Sequence, residues 1–207
     1  LLNDGMEHCF LYVPCEDLKL IQALGMSKYK LIETRLTYYG EDVQNFENER
    51  FKVRNAKDSD IENLVNIATQ NINHFDRVHA DPAIDNIKAD KYVGEYVKQS
   101  VLGYADLVIV PNEPETPPDA FLTGNYQKEL WDQINCNVSQ MVLSAVCSTA
   151  CKGWYKKLIS EMTYLFKNQG TEIVYFHPAS TNRAVIHTYE SLGFKYGCAG
   201  HVFSFSN

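Results

Sequence analysis

Residues 139–178 set an apolar strand, a glycine-bearing turn, a long amphipathic helix and a second apolar strand in direct succession. SQMVLSAVCS (139–148) and TEIVYFHP (171–178) are short apolar runs of strand length. Between them, KGWYKKLISEMTYLFKNQG (152–170) repeats Trp154, Leu158, Ile159, Met162, Leu165 and Phe166 at helical spacing, and Gly170 lies just past its end. A strand, helix and strand that all carry apolar faces need a sheet covered by helices, so this is an α/β chain.

The segments around this run agree. FKVRNA (51–56) predicts a strand, and KDSDIENLVNIATQNI (57–72) a helix capped by Asp58 or Ser59, with Ile61, Leu64, Val65 and Ala68 as its apolar stripe. Residues 73–101 mix polar, aromatic and helical character, ADLVIVPN (105–112) is an apolar strand, and EPETPPD (113–119) is a proline-rich loop. AFLTGNYQKEL (120–130) reads as a strand followed by a polar loop. TNRAVIHTYESLG (181–193) is a helix with Thr181 or Asn182 near its cap, and FKYGC and HVFSFS close the chain as a strand pair. The order β-α-α-β-β-β-α-β-α-β-β implies an α/β (α+β) fold whose mixed, mostly antiparallel sheet is flanked by helices.

Residues 1–47 read as a small leading unit: FLYVP (10–14) a strand, EDLKLIQALG (16–25) a helix, KYKLIETRLTYYG (28–40) one long strand or a hairpin. The acidic stretch EDVQNFENE (41–49) is the best linker, which gives expected domains of 1–47 and 51–207. QALGMSKYKLIETRLTYY (22–39) echoes ESLGFKYGCAGHVFSF (190–205). That echo reads either as a half-copy of the closing segment or as a chance likeness between helix-to-strand turns.

With 207 residues, 45% of them hydrophobic and 12% aromatic, the chain can build a core. A formal net charge of −7 argues against nonspecific binding to nucleic acid or to an anionic membrane, both of which need a basic surface. No apolar run reaches the roughly 20 residues of a membrane span, and no signal peptide is visible. The chain begins at Leu1, so its natural N-terminus is expected to lie upstream. Cys9, Cys15, Cys136, Cys147, Cys151 and Cys198 form no CxxC pair and no metal-knuckle spacing. They are read as reduced thiols of a cytoplasmic protein, with no metal site.

Two segments carry chemistry. The helix that starts near Lys152 follows directly on a strand, and such a junction presents free backbone N–H groups and the positive end of a helix dipole. Gly153 allows close backbone approach there, and Lys152, Lys156 and Lys157 add positive charge, so the turn is a candidate pyrophosphate cradle or an ordinary solvated junction. In NRAVIHTYESLGF (182–194), Tyr189 follows Asn182 by seven residues, two helical turns, so both lie on one helix face.

Together these segments resemble the GNAT superfamily of N-acetyltransferases. The C-terminal helix matches at Asn182, Val185, Tyr189, Gly193 and Phe194, and the strand, turn and helix match from Ala145-Val146-Cys147 through Ser148 to Tyr155. The resemblance covers about residues 51–207. The turn departs from the pattern at Ala150 and Tyr155, where the family has Arg or Gln and a second small residue; on the family's backbone course Tyr155 would crowd the pyrophosphate path. The whole layout is similar to the dTDP-fucosamine acetyltransferases and their relatives, on IQALGMSKYKLIETRL, FDRVHADP and the Tyr189 helix.

The resemblance implies a GNAT-type central sheet preceded by a partial GNAT-like unit. It implies acetyl-CoA as cosubstrate and a small-molecule primary amine as acceptor, such as that of a nucleotide-linked amino sugar, with a homodimer as one arrangement. It puts Tyr189 in place as the general acid that reprotonates the leaving thiolate, a phenol of reference pKa about 10 being protonated at neutral pH. It assigns Ala145, Val146, Cys147, Lys152, Gly153, Trp154, Tyr155 and Asn182 to the coenzyme, with the Val146 N–H facing the thioester oxygen. It assigns His74, Arg77, His79 and Tyr92 to the acceptor. No general base stands out; His74, His79 and His177 are the candidates, because histidine titrates near neutrality. Two other readings stay open: a transferase for a peptide, amino acid or polyamine, and a non-catalytic GNAT-fold ligand-binding module, which the Tyr155 departure favours.

Overall fold

Eight strands form one sheet in the computed structural model, which describes residues 8–71, 73–147 and 149–206. They are β1 (His8–Pro14), β2 (Lys30–Gly40), β3 (Val53–Asn55), β4 (Leu107–Pro111), β5 (Ala120–Asn125), β6 (Val138–Val146), β7 (Ile173–Phe176) and β8 (Lys195–Ser206). Their order across the sheet is β1-β8-β2-β7-β6-β5-β4-β3. Every neighbouring pair is antiparallel except β6 and β7. The α-helices among the described residues are α1 (Leu18–Gly25), α2 (Ile61–Gln70), α3 (Asn86–Gln99), α4 (Lys128–Ile134), α5 (Trp154–Asn168) and α6 (Arg183–Glu190).

Side chains on a strand alternate faces, and β4 and the start of β5 are apolar on both. Val108, Val110 and Phe121 join Leu64, Ile67 and Ala68 of α2 and Val97 of α3 in one core. Ile109, Ala120 and Leu122, offset by one residue, join Leu158, Ile159, Met162 and Phe166 of α5 in the other. The helical spacing of α5 therefore buries the stripe that the sequence marks. A smaller core of Val13, Leu24 and Phe203 seats α1.

The leading segment belongs to the same sheet. β2 lies between β7 and β8, and β8 lies between β1 and β2. The run β1-α1-β2 thus interlocks with β7-α6-β8, and the strand order β1-β8-β2-β7 is unchanged when the two runs are exchanged. The two segments that echo each other in sequence occupy equivalent places in this arrangement.

Residues 41–51 are strapped to α5. Tyr164 Oη receives the Asn48 amide at 2.6 Å and donates to the Asn48 carbonyl at 2.8 Å, and Lys167 Nζ donates to the Phe46 carbonyl at 3.0 Å. Glu161, only 2% exposed, accepts both Arg50 Nε and Nη2 at 3.0 Å and the Phe51 amide at 2.6 Å. Removing that carboxylate strands the Phe51 N–H, so Glu161→Leu is expected to cost about 1–3 kcal/mol in denaturant unfolding. A loss below about 0.5 kcal/mol would show that the strap is not anchored there.

Three local readings are corrected. Residues 128–134 form α4, where the sequence suggested strand and loop; the helix buries no residue, so it has no apolar stripe to read. The closing strand pair is one continuous strand, β8. Within β8 the Tyr12 ring lies against Gly200 where a Cβ would stand, so this glycine marks close approach within a strand. A 3-10 turn, Asp58–Asp60, leads into α2, and neither Asp58 nor Ser59 caps the helix: Asp60 Oδ2 instead accepts the Lys57 amide at the head of that turn at 2.7 Å, and Arg54 grips the same carboxylate.

Candidate active site

β6 and β7 pair only from Val138–Gln140 against Ile173–Tyr175, and then separate. The chain beyond β7 follows β2 instead: Leu36 N donates to Pro178 O at 2.9 Å and Ser180 N to Thr34 O at 2.8 Å. The edge of β6 is left open. Leu143 N and Cys147 N both point to β5, onto Thr123 Oγ1 and Asp119 O at 2.9 Å each. Strand donors alternate sides, so the N–H groups of Ser144 and Val146 face the opening. A cleft of about 340 Å³ occupies the splay, lined by Met141 to Ala145, Phe176 to Ala179, Tyr155, and Asn182, Val185 and Tyr189 of α6.

Tyr189 is 2% exposed. Its ring stacks on Phe176 and meets Phe194 and Tyr155 edge-on, the latter with centroids 6.0 Å apart. Its hydroxyl has the Met141 thioether at 3.8 Å, a weak acceptor. Burial, reinforced by the neighbouring Tyr155 phenol, raises Tyr189 well above the ordinary tyrosine pKa; burial pushes Tyr155 up to about 12. Both phenols are therefore protonated at neutral pH and can donate. Asn182 lines the same cleft, as the two-turn spacing implies. Its Oδ1 caps α6 by accepting the Val185 amide at 3.3 Å, which leaves its Nδ2 donors for a ligand.

The turn before α5 is partly closed on itself. Cys151 N donates to Cys147 O and Trp154 N to Cys151 O, both at 3.0 Å. Trp154 is 4% exposed and belongs to the core, so neither its ring nor its amide is free for a coenzyme, contrary to the sequence expectation. Lys157 pairs with Glu113 at 3.6 Å and sits over the Phe51 and Trp154 rings. Lys152 and Lys156 are exposed. Gly153 holds φ at +84° as the N-cap of α5, and nothing lies within 4 Å of a Cβ built there, so the turn stays open at that point. Thr149 Oγ1 lies 3.3 Å from Cys147 Sγ; that contact and the amides of Ala150 and Thr149 lower the Cys147 thiol pKa. Ser148 lies outside the described residues. The Tyr155 ring turns inward beside Tyr189 and lines the cleft, so it does not lie over the Gly153 turn as the departure from the family pattern suggested.

The residues that the resemblance assigns to the acceptor divide. Arg77, His79 and Tyr92 line the cleft, whereas His74 is exposed and does not. His79 Nδ1 lies 2.7 Å from Asp76 Oδ2 and its Nε2 3.1 Å from Asp90 Oδ1. With a carboxylate against each nitrogen, this ring ties the turn to α3, and both of its nitrogens are engaged. His177 does line the cleft. Although the residue is exposed at the cleft mouth, desolvation by the surrounding walls first, then the Arg35 charge, lower its pKa below 6.5 against the opposing Leu36 carbonyl, and its Nδ1 lies 3.1 Å from Thr37 Oγ1. Glu33 and Arg35 of β2 also line the cleft, and sequence reasoning missed them. The available signal was polar residues at every second position, Glu33, Arg35 and Thr37, in a strand otherwise rich in apolar and aromatic residues.

No protein-family model matches the sequence, and no curated protein matches it. Solved structures do. A functionally unknown conserved protein from Staphylococcus epidermidis superposes with a TM-score of 0.66 at 13% identity, over 100% of this chain and 75% of that one. A GCN5-related N-acetyltransferase from Sphaerobacter thermophilus gives 0.64 at 8% identity, over 96% of this chain and 59% of that one. An acetyltransferase of the GNAT family from Colwellia psychrerythraea gives 0.59 at 16% identity, over 98% and 66%. The chain has the GNAT fold. It spans less than two thirds of the two acetyltransferases just named. The mostly antiparallel sheet, the parallel β6–β7 pair and the flanking helices are the GNAT architecture that the resemblance implied. Among the described residues of this GNAT-fold chain, no helix is long and apolar enough to cross a membrane.

Proposed function

We propose that this chain transfers an acetyl group from acetyl-CoA to the primary amine of a small molecule, nucleotide-linked amino sugars among the acceptors considered. The observation that carries the reading is a buried, protonated phenol, Tyr189, in the opening between β6 and β7. The residues fit the coenzyme: an unpaired strand edge at Ser144 and Val146, an open glycine turn at Gly153, and the exposed Lys152 and Lys156. Acetyl-CoA would supply an acetyl group activated as a thioester.

The chain's own residues then have separate roles. The Val146 and Ser144 amides are the donors for carbonyl oxygens laid along the open edge. Asn182 Nδ2 adds a further donor. As the acceptor nitrogen bonds to the acetyl carbon and the C–S bond breaks, Tyr189 Oη gives its proton to sulfur and His177 Nε2 takes one from nitrogen. His177 suits the base role because desolvation in the cleft and the Arg35 charge lower its pKa and favour the neutral ring.

Release of free thiol from acetyl-CoA, measured over a panel of amines, tests the reaction; no release with any amine counts against it. The pH profile tests His177. With its pKa lowered, His177 gains a proton only below 6.5, so kcat/KM should hold through neutrality and fall on the acid side of 6.5. His177→Gln should lower kcat/KM by at least about 10-fold and abolish that acid limb. An acid limb that survives the substitution assigns the base elsewhere.

A further inference from the structure

The acceptor end of the cleft holds a charge arrangement that acetyl transfer alone does not require. Two guanidinium groups line it, Arg35 from β2 and Arg77 from the turn ahead of α3. Arg35 gives Nε and Nη2 to Glu33 at 3.2 and 2.6 Å, and Glu33 is 6% exposed. Such a two-point contact fixes the plane of the guanidinium and uses one edge of its fork, leaving the Nη1 donors unspent. Arg77 has the Tyr92 hydroxyl at 3.4 Å as its one hydrogen-bond partner among the described residues. The nearby carboxylate of Asp76 is already engaged: Oδ1 accepts the Val78 and His79 amides, and Oδ2 faces His79 Nδ1. Two guanidiniums with unspent donors, in a partly enclosed site on a chain of net charge −7, are built for an anion.

We infer that the acceptor carries an anionic group, a carboxylate or a phosphate, alongside its amine, and that Arg35 and Arg77 hold it. The inference rests on the acetyl-transfer reading for the amine; the anion site stands on the guanidiniums alone. Glu33 is a positioning residue that orients Arg35. Polyamines, positively charged throughout, do not satisfy this site, whereas a phosphorylated amine or an amino acid does. The arrangement also divides the labour between segments. The leading segment, through β2, supplies an anion-reading side chain, while β6 and α6 supply the chemistry.

Matched acceptors test this. Propylamine against β-alanine isolates a carboxylate, ethanolamine against phosphoethanolamine isolates a phosphate, and spermidine represents the cationic class. The anionic member of one pair should exceed its uncharged partner by at least about 10-fold in kcat/KM, the size of one charge-assisted hydrogen bond. The pair that responds names the anion. R77M should remove the advantage, and so should the double variant E33Q/R35M, which avoids leaving Glu33 buried and unpaired. Equal rates within both pairs, or preference for spermidine, would overturn the inference. If no amine is acetylated, the acetyl-transfer reading fails on its own, and titration of succinate and of inorganic phosphate against melting temperature decides the anion site. A saturable rise in melting temperature that R77M abolishes supports it, and no rise with either anion overturns it.

Discussion

Tyr189→Phe should lower turnover by at least about 10-fold while leaving the affinity for acetyl-CoA nearly intact. The substitution removes one oxygen and little else. The ring would keep its stack on Phe176 and its edge contacts with Phe194 and Tyr155. The hydroxyl has the Met141 thioether at 3.8 Å and the Tyr155 phenol beside it, and Tyr155 also has Ser144 as a partner, so the loss should cost little stability. A drop in kcat with an unchanged melting temperature therefore isolates the proton transfer. Tyr155→Phe is the control, because it removes the neighbouring phenol and leaves the proposed donor. Unchanged turnover in Tyr189→Phe would sink the general-acid role, and a larger loss in Tyr155→Phe would move that role to Tyr155.

The second large effect is on stability. Phe166 is 0% exposed and sits on the α5 face that meets the sheet, edge-on to Tyr126 with centroids 5.4 Å apart. Phe166→Ala should cost about 3–5 kcal/mol, through lost apolar burial and the cavity left between α5 and β5. For a domain of this size that is a fall in melting temperature of roughly 6–20 °C. It is also a large share of the roughly 5–15 kcal/mol that holds a typical domain folded. Leu165→Ala, one residue away and only partly buried, should cost distinctly less. Equal losses at the two positions would mean that depth of burial against the sheet does not set the cost along α5.

The elements that sequence reasoning located are those set by local rules. α5 announces itself because six apolar residues at helical spacing must face one side. β4 reads as a buried strand because it is apolar at every position, and β5 because it opens on Ala120, Phe121 and Leu122. The Asn182–Tyr189 spacing put both side chains on one cleft because two helical turns restore a face. Where the rule was absent, the reading failed. α4 buries nothing, and β8 carries glycines, one of whose reasons, the Tyr12 ring, is remote in sequence. Trp154 looked like a coenzyme contact because of its place in a motif, yet an aromatic at the first turn of a helix goes wherever the core has room for it.

The buried stripes, the strand-turn-helix junction and the tyrosine helix were thus written in spacing between near neighbours, and α/β architecture follows from them. Tertiary structure alone decided the assembly of the site. The splay of β6 from β7 exists because the chain after Phe176 pairs with β2, more than a hundred residues earlier. The same pairing brings Glu33 and Arg35 to the cleft and sets Thr37 beside His177. Two carboxylates from a turn and a helix remove His79 from the candidate bases. Pairing between strands is a long-range choice, made by which edges remain open once the cores have closed, and no window along the chain records it.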